Sequence, residues 1–157
     1  MRNNPLNLMK GFTLLELLIV IVVLGIALSF TSLSVSQNDH RQLLAETKRL
    51  ASLLRLAREE AILRNTPISI QLSNKEYRFF SKNRQEWIPI SRDNHFRKRQ
   101  FPISNIIVRS NIPKDSDHRI TIVFGHEPVA PPFDIFLETP NNQSSIRADG
   151  IGHFRIN

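Results

Sequence analysis

The spacing of apolar positions changes twice along the chain. From Phe12 to Phe30 nearly every residue is apolar, interrupted by Thr13, Glu16, Gly25 and Ser29. At about 1.5 Å per residue such a run makes a helix of roughly 28 Å, close to the thickness of a bilayer core. A polar, serine-rich stretch follows at residues 31–39. Beyond it Leu43, Thr47, Leu50, Leu54, Ala57 and Ala61 recur at spacings of four and three. That spacing puts them on one face of a helix, with Arg41, Lys48, Arg49, Arg55, Glu59 and Arg64 mostly on the other faces. Asn65-Thr66-Pro67 ends the pattern, since proline cannot continue helical hydrogen bonding.

From Pro67 onward the period becomes two. Ile68, Ile70 and Leu72 alternate with Ser69 and Gln71, Ser73-Asn74-Lys75-Glu76 reads as a turn, and Tyr77 to Phe80 forms the hairpin partner. Further strands are expected at residues 106–109, 120–124, 133–138, 145–148 and 153–156. They are separated by breaks at Pro113 and at Pro128, Pro131 and Pro132. One long helix followed by six or seven short strands predicts an α+β fold, with an antiparallel sheet packed on the amphipathic half of the helix. The expected division is a leader at 1–11, an apolar helix at 12–30, its amphipathic continuation at 31–66 and a β-rich domain at 67–157.

Composition adds two constraints. The chain has 157 residues and no cysteine, which excludes disulfides, thiol nucleophiles and cysteine-based metal sites. The formal charge of +7 raises the question of nucleic acid or anionic lipid as a partner.

The N-terminus admits several readings. Arg2 and Lys10 precede the apolar run with no acid among them, which favours a cytoplasmic location for that end. A plain signal anchor would fit, and so would a cleaved secretory signal with Ala27-Leu28-Ser29 as its small-x-small site. Neither accounts for Glu16, because a carboxylate inside a membrane-length run is expensive and points to function. The string Gly11-Phe12-Thr13-Leu14-Leu15-Glu16 resembles the processing signal of type IV pilins and pseudopilins. The resemblance implies cleavage by a prepilin peptidase between Gly11 and Phe12, methylation of the new amino terminus at Phe12, and an assembly role for Glu16. In a filament Glu16 of one subunit would meet the Phe12 amine of a neighbour, each charge offsetting the other's desolvation.

The soluble half resembles one branch of that superfamily. "LASLLRLAREEAILRNTPISI" at residues 50–70 is similar to the helix-to-strand junction of the H-type minor pseudopilins of type II secretion. The segment from Ile120 onward resembles their C-terminal half, through Phe124–Glu127, Pro132-Phe133 and Asp149-Gly150. The likeness implies a single-pass inner-membrane protein with a periplasmic domain, acting near the tip of a short filament. Its implied partners are the I, J and K tip types, the G-type major subunit and the prepilin peptidase, and its implied work is filament initiation and export of folded proteins.

Nothing in the sequence assembles an active site. His40, His95, His118, His126 and His153 are scattered without metal-ligand spacing, and Gly150-Ile151-Gly152 lacks the third glycine of a dinucleotide fingerprint. No enzyme activity, cofactor or metal is expected, and Asp149-Gly150 reads as a hairpin turn. One basic cluster, Arg92, Arg97, Lys98 and Arg99 with Phe96 and Phe101 interleaved, is a candidate contact surface. It would suit a nucleic-acid strand, lipid headgroups or an acidic neighbour, or it is a solvated loop with its rings in the core. The alternative branch is the FimT-type minor pilins of type IV pili, some of which bind DNA through a C-terminal Gly-Arg-x-Arg pattern. Residues 149–157 offer only Arg155 and lack that pattern, which disfavours nucleic acid as a partner.

Overall fold

The computed structural model describes residues 12–91 and 93–157, with residues 28–37 described as helix but not by their side chains. The expected leader and Arg92 lie outside the described residues. A single helix, α1 (Leu14–Leu63), carries both the apolar run and the amphipathic segment. Its start is set by Thr13, whose Oγ1 accepts the Glu16 backbone N–H at 3.2 Å. Thr13 is therefore the N-cap and Glu16 the third helical residue, the Thr-x-x-Glu spacing of a capping box. At the other end Asn65 adopts φ 50. The Asn65 N–H donates to the Ile62 carbonyl and the Thr66 N–H to the Ala61 carbonyl, which is a Schellman closure.

The chain divides into two compact units between Gln37 and Asn38. In the first, the described side chains line a helix and nothing else. Among its described residues the second contains the rest of α1 and nine strands: β1 (Ile68–Leu72), β2 (Glu76–Asn83), β3 (Glu86–Pro89), β4 (Arg99–Gln100), β5 (Ile107–Ser110), β6 (Ile120–Phe124), β7 (Phe133–Glu138), β8 (Gln143–Ala148) and β9 (Phe154–Ile156). They form two antiparallel sheets, ordered β3-β2-β1-β6 with β4 alongside β2, and β5-β7-β8-β9.

The alternating residues define the inner faces. Ile70 sits between Phe79 and Ile122 in register, and Leu72 between Tyr77 and Ile120. On the second sheet Ile135 faces Ile146 and Leu137 faces Val108. These rows share one core with Leu43, Leu50, Leu54, Ala57 and Ala61 of the helix. Phe124 of the first sheet and Phe133 and Phe154 of the second form a triangle of rings with centroids 6.3–6.4 Å apart, which joins the sheets.

The structure refines the sequence reading in two respects. The β domain holds two sheets rather than one, since β6 pairs with β1 while β7 pairs with β5 and β8. Strands β3 and β4 were not expected. All four β3 residues are exposed, so no apolar alternation marks it, and β4 is only two residues long.

Candidate assembly surfaces

Three surfaces are of interest among the described residues, which include neither Gly11 nor Arg92. The first is the start of α1. Phe12 is 77% exposed, and every large apolar side chain from Leu14 to Ile26 is at least 46% exposed. A continuous apolar surface of this extent calls for a cover of lipid or protein. Among the described residues no helix is long and apolar enough to cross a membrane. The described side chains of this run stop at Ala27, whereas the apolar sequence continues to Phe30. Glu16 lies exposed in the first turn, where the helix dipole favours a carboxylate. The sequence reading assigned no role to Thr13, although the Thr-x-x-Glu spacing signals the cap it forms.

The second surface is the basic cluster. Lys98 Nζ lies 2.7 Å from Glu76 Oε2, and Arg78 Nε donates to Glu76 Oε1 at 2.6 Å. The hydrogen bond from Lys98, aided by Arg78, holds the Glu76 carboxyl below its usual range against the opposing effect of desolvation. Arg99 is half-buried in β4 opposite Tyr77 and donates to the Asn94 carbonyl at 3.2 Å. Asp93 caps the loop by accepting the His95 and Phe96 N–H groups at 2.6 and 3.1 Å. The His95 N–H is the main reason its carboxyl sits below the usual range. Phe96 and Phe101 are buried, packed at 5.0 Å on Phe79 and 5.3 Å on Tyr77. Their faces are therefore closed to the base stacking a single strand would use. Of the described cations in the cluster, Arg97 is the one exposed without a side-chain partner, while Lys98 and Arg99 are engaged.

The third surface is the outer face of the second sheet. Asp134 and Arg147 are register partners joined at 2.8 Å, and Arg147 faces Arg155 on the next strand. Nearby, Asp149 accepts the Ile151 and His153 N–H groups at 3.0 and 3.1 Å and contacts His153 Nδ1 at 2.6 Å. Desolvation opposes ionisation of Asp149, but these donors prevail and bring its pKa to about 2. The Asp149–His153 connection is thus a five-residue loop with Gly150 and Gly152 at φ 84 and 117, longer than a two-residue hairpin turn. Asn111, Phe133, Asp134, Arg147, Asp149 and His153 are among the residues that line an open depression of about 340 Å³. Among the described residues no group of three His, Asp or Glu side chains is placed to hold a metal ion.

A long capped helix with an exposed apolar first half, feeding a compact β-sheet domain that shares its core with the second half, defines a pilin-like subunit. The chain belongs to the family of Type II transport protein GspH, whose family model matches residues 46–152. The prokaryotic N-terminal methylation motif matches residues 6–32. Type II secretion system protein H of Pseudomonas aeruginosa is 32% identical over 89 residues, 55% of this chain and 52% of that protein. The chain therefore spans about half the length of this curated relative. Two structures of the minor pseudopilin EpsH from the type II secretion system of Vibrio cholerae share the fold. They have TM-scores of 0.58 and 0.59 at 14% identity, covering 72% and 75% of this chain and 94% and 97% of EpsH. The family is one of structural pseudopilins, and membership places the chain in the type II secretion pseudopilus system.

Proposed function

We propose that this chain is a minor pseudopilin that enters the type II secretion filament near its tip, after cleavage between Gly11 and Phe12 and methylation of Phe12. Residues 1–11 are the leader and residues 12–30 hold the subunit in the inner membrane as a single span. Residues 31–66 continue the helix, and residues 67–157 form the periplasmic domain. Its partners are the I, J and K tip types and the G-type subunit, and its work is to help start a filament that exports folded proteins.

The observation that carries this reading is the coincidence of the N-terminal methylation motif with a capped helix start at Thr13 and Glu16. Processing would leave a cationic amine at Phe12, one residue before the N-cap. The positive end of the helix dipole disfavours a cation there. An acid is needed nearby, and Glu16 of an adjacent subunit supplies one when the two helices are in register. A misplaced subunit leaves both charges unpaired in an apolar setting, which is costly.

Intact-mass measurement of the chain extracted from native membranes tests the proposal. The expected mass lacks residues 1–11 and carries one extra methyl group on Phe12. Retention of the leader would overturn the filament reading. Glu16→Ala should be processed normally yet cross-link poorly to other pseudopilins, and undiminished cross-linking would remove the register role.

A further inference from the structure

The six cations between residues 41 and 64 of α1 and its end fall into two groups. Arg49 Nη1 is bound to Glu46 Oε2 at 2.9 Å, Arg58 donates to the Pro128 carbonyl, and Arg64 is paired with Glu60. Arg41, Lys48 and Arg55 are all exposed, and their side chains make no hydrogen bond or ion pair among the described residues. These three are spaced by seven residues. Ala45, Ser52 and Glu59 are also exposed and lie four residues after each of them. Alternate steps of four and three produce a straight seam along a helix, the repeat by which one helix packs along another.

The chemistry of the seam selects its occupant. Successive cations stand about 10.5 Å apart along the helix, farther than the screening length of roughly 8 Å at physiological salt. The column is therefore tolerated in the free subunit. Ala45 and Ser52 are small enough for a second backbone to come close. A second copy of this chain laid parallel would set cation against cation, both in register and after a shift of one heptad. A membrane surface is also a poor match, since Ala45, Ser52 and Glu59 offer no large apolar group to enter the headgroup layer.

We infer that the seam of Arg41, Lys48 and Arg55 is a docking face for the helix of a different subunit that presents carboxylates at seven-residue spacing. The inference rests on the filament reading and names the kind of neighbour it requires. It also gives a physical reason for two copies of this chain not to pack seam against seam. The interleaved small residues set the approach of the helices, while the three ion pairs set their axial register and reject like-charged neighbours.

The absence of cysteine makes the test direct. Ser52→Cys in the full chain, labelled with a thiol-directed photo-cross-linker in native membranes, places a probe in the seam. Glu86→Cys on the β3 edge serves as the control. The expected adduct joins the seam probe to a helical peptide of another protein with Asp or Glu seven residues apart. Adding Arg41→Glu, Lys48→Glu and Arg55→Glu should lower its yield by about tenfold or more, as reversed charges meet across three contacts. Arg41→Lys with Arg55→Lys should preserve it. An adduct to a second copy, to lipid or to a peptide without such acids would overturn the inference, as would a yield unaffected by charge reversal. A processed chain that gives no seam adduct overturns this inference alone. A chain still carrying residues 1–11 overturns the filament reading and this inference together.

Discussion

The phenol of Tyr77 on β2 donates a hydrogen bond to Glu46 Oε1 on α1 at 3.1 Å, between two residues that are each at most 2% exposed. The other oxygen of Glu46 accepts from Arg49 at 2.9 Å. This is a polar strut inside an apolar core, fastening the helix to the first sheet. Burial, reinforced by the Glu46 charge, raises the Tyr77 pKa well above its ordinary value, so the phenol stays a donor.

Tyr77→Phe therefore leaves a buried carboxylate oxygen without its donor. The expected loss is about 1–3 kcal/mol in urea unfolding of residues 38–157. The double change Tyr77→Phe with Glu46→Gln should cost less than the sum of the two single changes. The sign with pH follows from the raised pKa. Above roughly pH 10 the unfolded phenol loses its proton while the folded one keeps it, so the strut's contribution falls as pH rises. Tyr77→Phe should not show that fall.

Removal of the N-cap should loosen the first turn. Thr13→Ala deletes the acceptor for the Glu16 N–H and is expected to cost about 0.5–2 kcal/mol of local helix stability. Hydrogen exchange at the Glu16 amide should quicken, and Thr13→Ser should restore protection. Unchanged exchange in Thr13→Ala would show that the cap does not hold Glu16 in place.

The two glycines of the β8–β9 loop should respond unequally to alanine. A Cβ at Gly150 would collide with the Ala130 backbone carbonyl, whereas one at Gly152 would meet the Arg58 guanidinium at 2.7 Å. Both sites have positive φ and would be strained by about 1–3 kcal/mol. The Arg58 side chain can move aside, but the Ala130 backbone, held by its N–H to the Gly150 carbonyl at 2.8 Å, cannot do so cheaply. Gly150→Ala should lower the melting temperature more than Gly152→Ala, and the reverse order would refute this packing.

Asp149 organises that loop as an anion. Its folded pKa of about 2 lies below the value of about 3.9 for a free aspartate. Stability from the shift is present above about pH 4 and is lost as pH falls toward 2, because the unfolded chain then binds the proton more readily. Asp149→Ala should melt earlier than the parent at about pH 7, with the gap narrowing through that window. A gap independent of pH would mean that the loop does not depend on the carboxylate charge.

Much of this architecture was legible in the order of residues, because helical and extended periods are local properties of a chain. The face of Leu43, Thr47, Leu50, Leu54, Ala57 and Ala61 is buried throughout, and the stop at Asn65-Thr66-Pro67 falls where the Schellman closure forms. Strands β1, β6 and β7 lie where alternation placed them. The N-terminal methylation motif was also readable, since its residues are contiguous.

Tertiary structure decided which groups meet. Glu46 lies on the side of the helix that Leu43 and Leu50 define, but nothing nearby in sequence shows what would satisfy a carboxylate buried there. Its partner comes with β2, which brings Tyr77 to it from 31 positions further along the chain. The same holds for Phe96 and Phe101, which look like a stacking platform among arginines until β2 supplies Phe79 and Tyr77 to cover them. The heptad spacing of Arg41, Lys48 and Arg55 was present in the sequence all along. Among the described residues they have no side-chain partner, whereas Arg49 meets Glu46 three positions away on the same helix and only Arg58 is held by a distant loop, at the Pro128 carbonyl. Periodicity is set by near neighbours in the chain, whereas pairing depends on closing long loops around a shared core.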